Sequence, residues 1–224
     1  MEQIDLFTIP IFKFKFDKHA ELREEFLSFI KRREALVNNT RRSTLMFTDP
    51  NLHKEPIFKP YVEFAEQCVA EVMDKIGWNP SFEFTGMWGT HQQNGGYHHR
   101  HLHSNAILAG VYYLEGNLST PGTTFFNPQQ YFNVINPPSN GKPLLFKNAH
   151  TLKFEEGTQY IFPAWLTHNT NVNNTDVTNS FRSILSFNVM PLGKTNTDEF
   201  DRYHFSSVSD KDMISSKHER ITIS

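Results

Sequence analysis

A chain of 224 residues with 38% hydrophobic content and 21 phenylalanines has enough apolar material for one large globular domain without covalent staples. A formal charge of -2 argues against a nucleic-acid partner, and the single cysteine, Cys68, excludes an intramolecular disulfide, a thiolate zinc site and an iron-sulfur cluster. Any metal must therefore use His, Asp, Glu or water, and a reducing compartment, the cytoplasm, is expected.

The opening, "MEQIDLFTIPIFKFKFDKHAELREEF", alternates apolar with charged residues and lacks the continuous apolar run of a signal peptide or membrane span. Within it, Ile11 to Phe16 has the period of two of a strand with one wet face, as at a sheet edge. Apolar residues then recur every three or four positions from Lys18 to Leu36 and again over 58–78, which predicts two amphipathic helices packed on a sheet. Cys68 falls on the second of these as a small buried hydrophobe. Past Pro80, short runs rich in Phe, Tyr, Val, Ile and Thr alternate with "NGG", "TPG", "NPPSNG" and "EEG". This predicts strands near 82–92, 97–103, 106–115, 123–127, 143–147, 150–154, 158–162 and 181–190. The expected fold class is mainly β with amino-terminal helices, a two-sheet jelly roll. One domain should cover residues 1–193, with the first strand and supporting helices in 1–80 and the jelly-roll core in 81–193. The polar residues 194–224 read as a carboxy-terminal extension over the surface or as a contact for a second copy of the chain.

The stretch "GGYHHRHLHSNAILAGVYYL", residues 95–114, carries His98, His99, His101 and His103. In a strand, residues two apart point the same way, so His101 and His103 share a face and Leu102 turns from it. Parity leaves His99 with His101 as an alternative pair and puts His98 on the opposite face. Two imidazoles do not hold a transition metal tightly, and the third ligand that fits best is His168 in "QYIFPAWLTHNT". Arg182, in "SFRSILSFNVM", is a lone guanidinium in an otherwise apolar strand, so it is either paired with a protein acid or open to an acidic ligand. His53, His91, His150, His204 and His218 are assigned to surface or core.

A close histidine pair, a distal histidine late in a β-rich core and an arginine on the following strand resemble the Fe(II)- and 2-oxoglutarate-dependent oxygenases. More closely, "HLHSNAILAGVYYLEG", "TFFNP", "EEGTQYIFPAWLTHNT" and "RSILSFN" resemble the 2-oxoglutarate/Fe(II)-dependent oxygenase family of bacteria and their phages, within the prolyl-hydroxylase-like superfamily. That family's pattern runs roughly H-x-H-x-N, S/A-G-V-Y-Y, F-P-x-W-L-x-H and R-x-S-x-S-F-N. The matches fall in order over residues 84–190, and "LFTIPIF" fits the family's usual opening.

The resemblance implies a double-stranded β-helix, cupin-like, with Fe(II), 2-oxoglutarate as cosubstrate and O2. It implies hydroxylation of a peptide side chain or a small molecule with release of succinate and CO2. Carried across residue by residue, it makes His101, His103 and His168 the metal ligands and sets Arg182 on the distal carboxylate of 2-oxoglutarate as a bidentate pair. Of Tyr112 and Tyr113, one faces inward and reads equally as a hydroxyl bonded to 2-oxoglutarate or as core packing, and Asn188 is expected as a further cosubstrate contact. Asn105 and Asn188 read equally as polar groups behind the ligands or as turn and strand-end residues. Two departures stand out: His103 occupies the place of the superfamily's usual carboxylate, and Ile184 takes the serine position two after the arginine, with Ser183 beside it. The rival readings are a three-histidine dioxygenase without 2-oxoglutarate, its Arg182 gripping a substrate carboxylate, and a non-catalytic metal-binding jelly-roll module.

Overall fold

The structure, a computed structural model, describes residues 2, 7–37, 45–78, 81–116, 120–129, 147–172, 181–195 and 203–205. The front of the chain supplies β1 (Phe12–Lys15), α1 (His19–Val37), β2 (Leu45–Phe47) and α2 (Lys59–Lys75). Eight strands follow: β3 (Phe82–Gln93), β4 (His98–His101), β5 (Leu108–Glu115), β6 (Pro121–Phe126), β7 (Ala149–Lys153), β8 (Thr158–Pro163), β9 (His168–Thr170) and β10 (Phe181–Pro191). A short pair, β11 (Gly193–Thr195) and β12 (Tyr203–Phe205), comes last.

One sheet runs in the order β1-β8-β5-β10-β3-β2 and the other in the order β4-β9-β6-β7. Among the described residues every strand ladder is antiparallel. From β3 to β10 the chain changes sheet at each step except between β6 and β7, which is jelly-roll connectivity. The predicted edge strand is at the sheet edge, its phenylalanines half-buried and its lysines wet.

Alternation along the central strands divides their side chains between two cores. On β5 and β10, Leu108, Tyr112, Leu114, Leu185, Phe187 and Val189 meet Phe26, Ile30, Tyr61 and Val69 of the helices. The intervening residues Ala109, Val111, Tyr113 and Ile184 face Phe125 and Phe162 between the sheets. Gly110 is opposite Phe187, and a Cβ there would stand 2.1 Å from the ring, so the missing side chain makes room for the aromatic. Helix α2 ends where Gly77 adopts φ +78, with Trp78 N–H on Met73 O at 2.8 Å and Gly77 N–H on Asp74 O at 3.0 Å. That is a glycine stop satisfying the last carbonyls.

The helices expected over Lys18–Leu36 and 58–78 form within three residues of those bounds. Of the strand expected near 143–147, residues 143–146 lie outside the described residues and Lys147 is in no strand; most of the 194–224 extension is likewise outside them. Strands β2 and β9, three residues each, are too short to show a period in sequence. Among the described residues no helix is long and apolar enough to cross a membrane.

Candidate metal centre and arginine pocket

Antiparallel pairing of β4 with β9 sets His101 directly across from His168. His103 lies two residues past His101, and its backbone N–H bonds Ala164 O at 3.0 Å, which ties the segment after β4 to the one just past β8. Leu102, between them, is turned to solvent. The three histidines therefore converge, with one possible ligand atom of each within 4.8 Å of the others.

Each ring is held from behind. His101 Nδ1 lies 2.7 Å from His99 O, His168 Nδ1 lies 2.9 Å from Leu166 O, and His103 Nδ1 lies 2.6 Å from Asn188 Oδ1. A carbonyl oxygen only accepts, so Nδ1 carries the proton and the Nε2 lone pair is left for the front of the site. Burial favours this neutral form: it lowers His101 and pushes His103 down to about 4 and His168 to about 3. His103 and His168 bring their Nε2 atoms to 3.2 Å. With both protons on Nδ1 no hydrogen bond joins them, and the two lone pairs repel unless a cation stands in front. Two imidazoles bound at right angles with metal–nitrogen bonds of about 2.1 Å would have nitrogens roughly 3.0 Å apart. Trp88 stacks on His103 at 5.9 Å, while Phe125 and Phe162 flank His168 at 5.5 and 4.8 Å and keep that side dry.

Parity misplaces His98. The ladder pairs His98 with Thr170 and His101 with His168, so three residues of β4 span the same interval as two of β9. This bulge reverses the alternation. His98 consequently lines the same cleft, its ring 3.9 Å from His101, whereas His99 is exposed and contributes its carbonyl.

Arg182 is buried on β10, 1% exposed, and burial lowers its pKa to about 10, so it stays charged at neutral pH. Among the described residues no carboxylate pairs with it. Its partners are oxygens of neutral groups: Nε donates to Gln92 Oε1 at 2.7 Å, Nη2 to Gln92 Oε1 and to Asn171 O at 3.0 Å, and Nη1 to Pro121 O. The two-pronged edge expected to meet a cosubstrate carboxylate is thus turned toward Gln92, and of the five guanidinium N–H groups one, on Nη1, is left by the described residues.

Two other expectations are corrected or narrowed. Tyr112, expected beside the cosubstrate, points to the helix side, where its hydroxyl meets His19 Nδ1 at 2.6 Å and its ring packs on Tyr61 at 4.6 Å. Tyr113 is the inward one of the pair: its oxygen accepts Thr123 N–H at 2.9 Å, its hydroxyl donates to Thr123 Oγ1 at 3.0 Å, and it lies close enough to Arg182 to feel its charge. Asn188, expected either on the cosubstrate or behind the ligands, is behind them, holding His103. Asn105 is an exposed turn residue at φ 55. Ile184 lines the cleft in the family's serine position, and Ser183 faces the helices, bonded to His91 Nδ1 at 2.9 Å. Sequence reading missed Gln92 and Trp88, although both are on the inward parity of β3 with Thr90.

Residues 86–188 match the family model described as "Putative 2OG-Fe(II) oxygenase". No curated protein sequence matches the chain. Solved structures share the fold. HygX from Streptomyces hygroscopicus, with nickel and 2-oxoglutarate bound, aligns over 82% of this chain and 84% of its own at TM-score 0.58 and 13% identity. A Pseudomonas putida prolyl-4-hydroxylase aligns over 83% and 95% at TM-score 0.55 and 14% identity. The non-heme alpha ketoglutarate dependent epimerase SnoN from nogalamycin biosynthesis aligns over 89% and 92% at TM-score 0.59 and 12% identity. The family match spans the strands that carry the histidines and the arginine, and the solved structures share the jelly roll, so this chain is similar to the 2OG-Fe(II) oxygenases in the sequence of its site-bearing core and in its fold.

Proposed function

We propose that the chain is an Fe(II)- and 2-oxoglutarate-dependent oxygenase in which His101, His103 and His168 hold the iron and Arg182 receives the distal carboxylate of 2-oxoglutarate. The observation that carries this reading is the set of three imidazoles, each held through Nδ1, with a possible ligand atom of each within 4.8 Å of the others. Neutral imidazole is a suitable donor for iron(II), and the anchored rings spend little further entropy on binding. Iron, with 2-oxoglutarate and O2, supplies the oxidation, coupling decarboxylation of the cosubstrate to succinate with oxidation of a substrate C–H bond.

The protein's share is orientation, charge and exclusion of water. Three neutral ligands leave the metal one more unit of positive charge than two histidines and a carboxylate would, which strengthens its hold on the anionic cosubstrate. Arg182 meets the far carboxylate through its remaining Nη1 proton, and burial makes that charge-assisted bond stronger than it would be in water. The substrate is a small molecule or a peptide. Among the fold relatives HygX has been solved with hygromycin B bound, and another is a viral collagen prolyl hydroxylase. Residues 1–193 act as one oxygenase unit, and the buried, unreactive thiol of Cys68, pushed up to about 12 by burial, fits a reducing cytoplasm.

The test uses protein purified without a histidine tag. Iron-dependent conversion of 2-oxoglutarate to succinate under air is expected, and calorimetry of the anaerobic manganese-loaded protein should show 2-oxoglutarate binding. Arg182→Met should weaken that binding by about one to two orders of magnitude and leave metal binding intact. Metal binding without any 2-oxoglutarate binding would transfer the assignment to the three-histidine dioxygenase, which His103 in the carboxylate position already suits. Absence of both would leave the non-catalytic module.

A further inference from the structure

Arg182 is surrounded by groups that solvate its charge and none, among the described residues, that cancels it. The central one is Gln92. Register pairs the two residues directly across β3 and β10, and both side chains point between the sheets. Gln92 Oε1 takes one N–H from Nε and one from Nη2, the same edge that a carboxylate would occupy. Its other end is tethered, because Nε2 donates to Thr170 Oγ1 at 2.9 Å, and Thr170 Oγ1 also accepts the backbone N–H of His98 at 2.9 Å. The side chain is 1% exposed.

We propose that Gln92 is the positioning residue for the cosubstrate's distal carboxylate: a neutral bracket that fixes the guanidinium plane while leaving its positive charge for the ligand. The inference rests on the oxygenase reading above. A glutamate at this position would make the same hydrogen bonds with nearly the same shape, but it would pair with Arg182 as an ion and turn a cationic pocket into a neutral one. An amide supplies the geometry without the charge. Gln92 is held at both ends, so it acts as a fixed strut and does not swing aside when the ligand enters. It further ties the carboxylate end of the pocket, through Thr170, to the β4 bulge that places His98 and His101, so both ends of the cosubstrate are referenced to one hydrogen-bonded frame.

The experiment compares two ligands on the anaerobic manganese-loaded protein: 2-oxoglutarate, and 2-oxopentanoate, which chelates through the same oxo-acid end but lacks the distal carboxylate. Gln92→Glu is expected to weaken 2-oxoglutarate by at least about tenfold, the scale of one charge-assisted bond, while 2-oxopentanoate and manganese bind as in the unmodified protein. Gln92→Leu, which keeps the bulk and removes the bracket, should also weaken 2-oxoglutarate selectively, and it carries the test if the glutamate variant does not fold. Unchanged 2-oxoglutarate affinity in either folded variant overturns the proposal. So does an equal loss for both ligands and the metal, which would make Gln92 a general structural residue. Tighter 2-oxoglutarate binding in Gln92→Leu would show that the side chain obstructs the pocket, again against the proposal. If the unmodified protein binds no 2-oxoglutarate, the oxygenase reading itself has failed, and the inference falls with it.

Discussion

The two faces of the six-stranded sheet are made by the same strands and have opposite characters. Leu185, Phe187 and Val189 of β10 enter a dry core against the helices, while Arg182, Ser186 and Asn188, one residue out of step, face the cleft with the histidines. The helix face has a few paired polar groups, such as Tyr61 on Gln159 at 2.9 Å, and is otherwise aliphatic and aromatic packing. The cleft face sets polar groups that burial alone would disfavour beside a smaller apolar cluster that includes Val111, Phe125, Phe162 and Ile184. The three converging rings and the guanidinium are braced there, His101, His103 and His168 by carbonyl oxygens and Arg182 by Gln92, Pro121 and Asn171. The helix face therefore supplies most of the apolar packing against which the cleft face holds its buried charge and lone pairs.

Substitutions that separate the faces sharpen this contrast. His168→Ala should abolish tight iron binding, since two imidazoles remain, yet leave the fold intact; metal analysis with a denaturation curve reads both, and retained stoichiometric metal would refute the ligand assignment. Phe187→Ala should do the reverse. It empties a fully buried site over Gly110 and should lower stability by about 3 to 5 kcal/mol in urea titrations, without changing metal stoichiometry in the folded fraction.

Acid should act through the cleft face. His98, His103 and His168 bind protons at about 4, about 4 and about 3 in the folded chain, against 6.5 for a free imidazole. The unfolded chain thus takes up protons first as pH falls. Stability of the metal-free protein should be full above about pH 6.5 and fall progressively as pH drops through 6 and 5 toward the folded values. Manganese should move that loss to lower pH, because only neutral imidazole binds it. A urea midpoint that is flat from pH 7 to 4.5 in the metal-free protein would contradict the burial of these rings.

Asn188→Leu removes the oxygen behind His103, frees its tautomer, and should weaken iron by about 10- to 100-fold with little effect on the helix face. The smallest effect is expected at Cys68→Ala: about 1 kcal/mol of stability from a small cavity on the helix side, with metal content unchanged. Loss of iron in that variant would mean the two faces are not independent.

Much of this architecture is legible along the chain. The period of two at β1, the helical period of α1 and α2, and turn-punctuated β runs after Pro80 are local properties, and local sterics decide them. So are the residue types of the site: His101 and His103 two apart, a histidine just past the apolar strand β8, and an arginine set in an apolar strand. What alternation could not supply is the interruption of alternation. His98 comes into the cleft because β4 bulges against β9, and a bulge is chosen by the fit of two strands 70 residues apart.

Register is likewise nonlocal. Arg182 meets Gln92, 90 residues away, and His103 meets Asn188, 85 residues away, because β10 is wedged between β3 and β5 at one alignment among several that would keep the same faces. The sequence by itself determined which side chains carry the chemistry and which stripes are apolar, since both follow from residue identity and spacing. Tertiary structure alone decided that Tyr112 turns away while Tyr113 turns inward, and that Gln92 stands against the guanidinium. Those choices depend on which face the helices cover and where the strands come into register, and only the assembled core determines both.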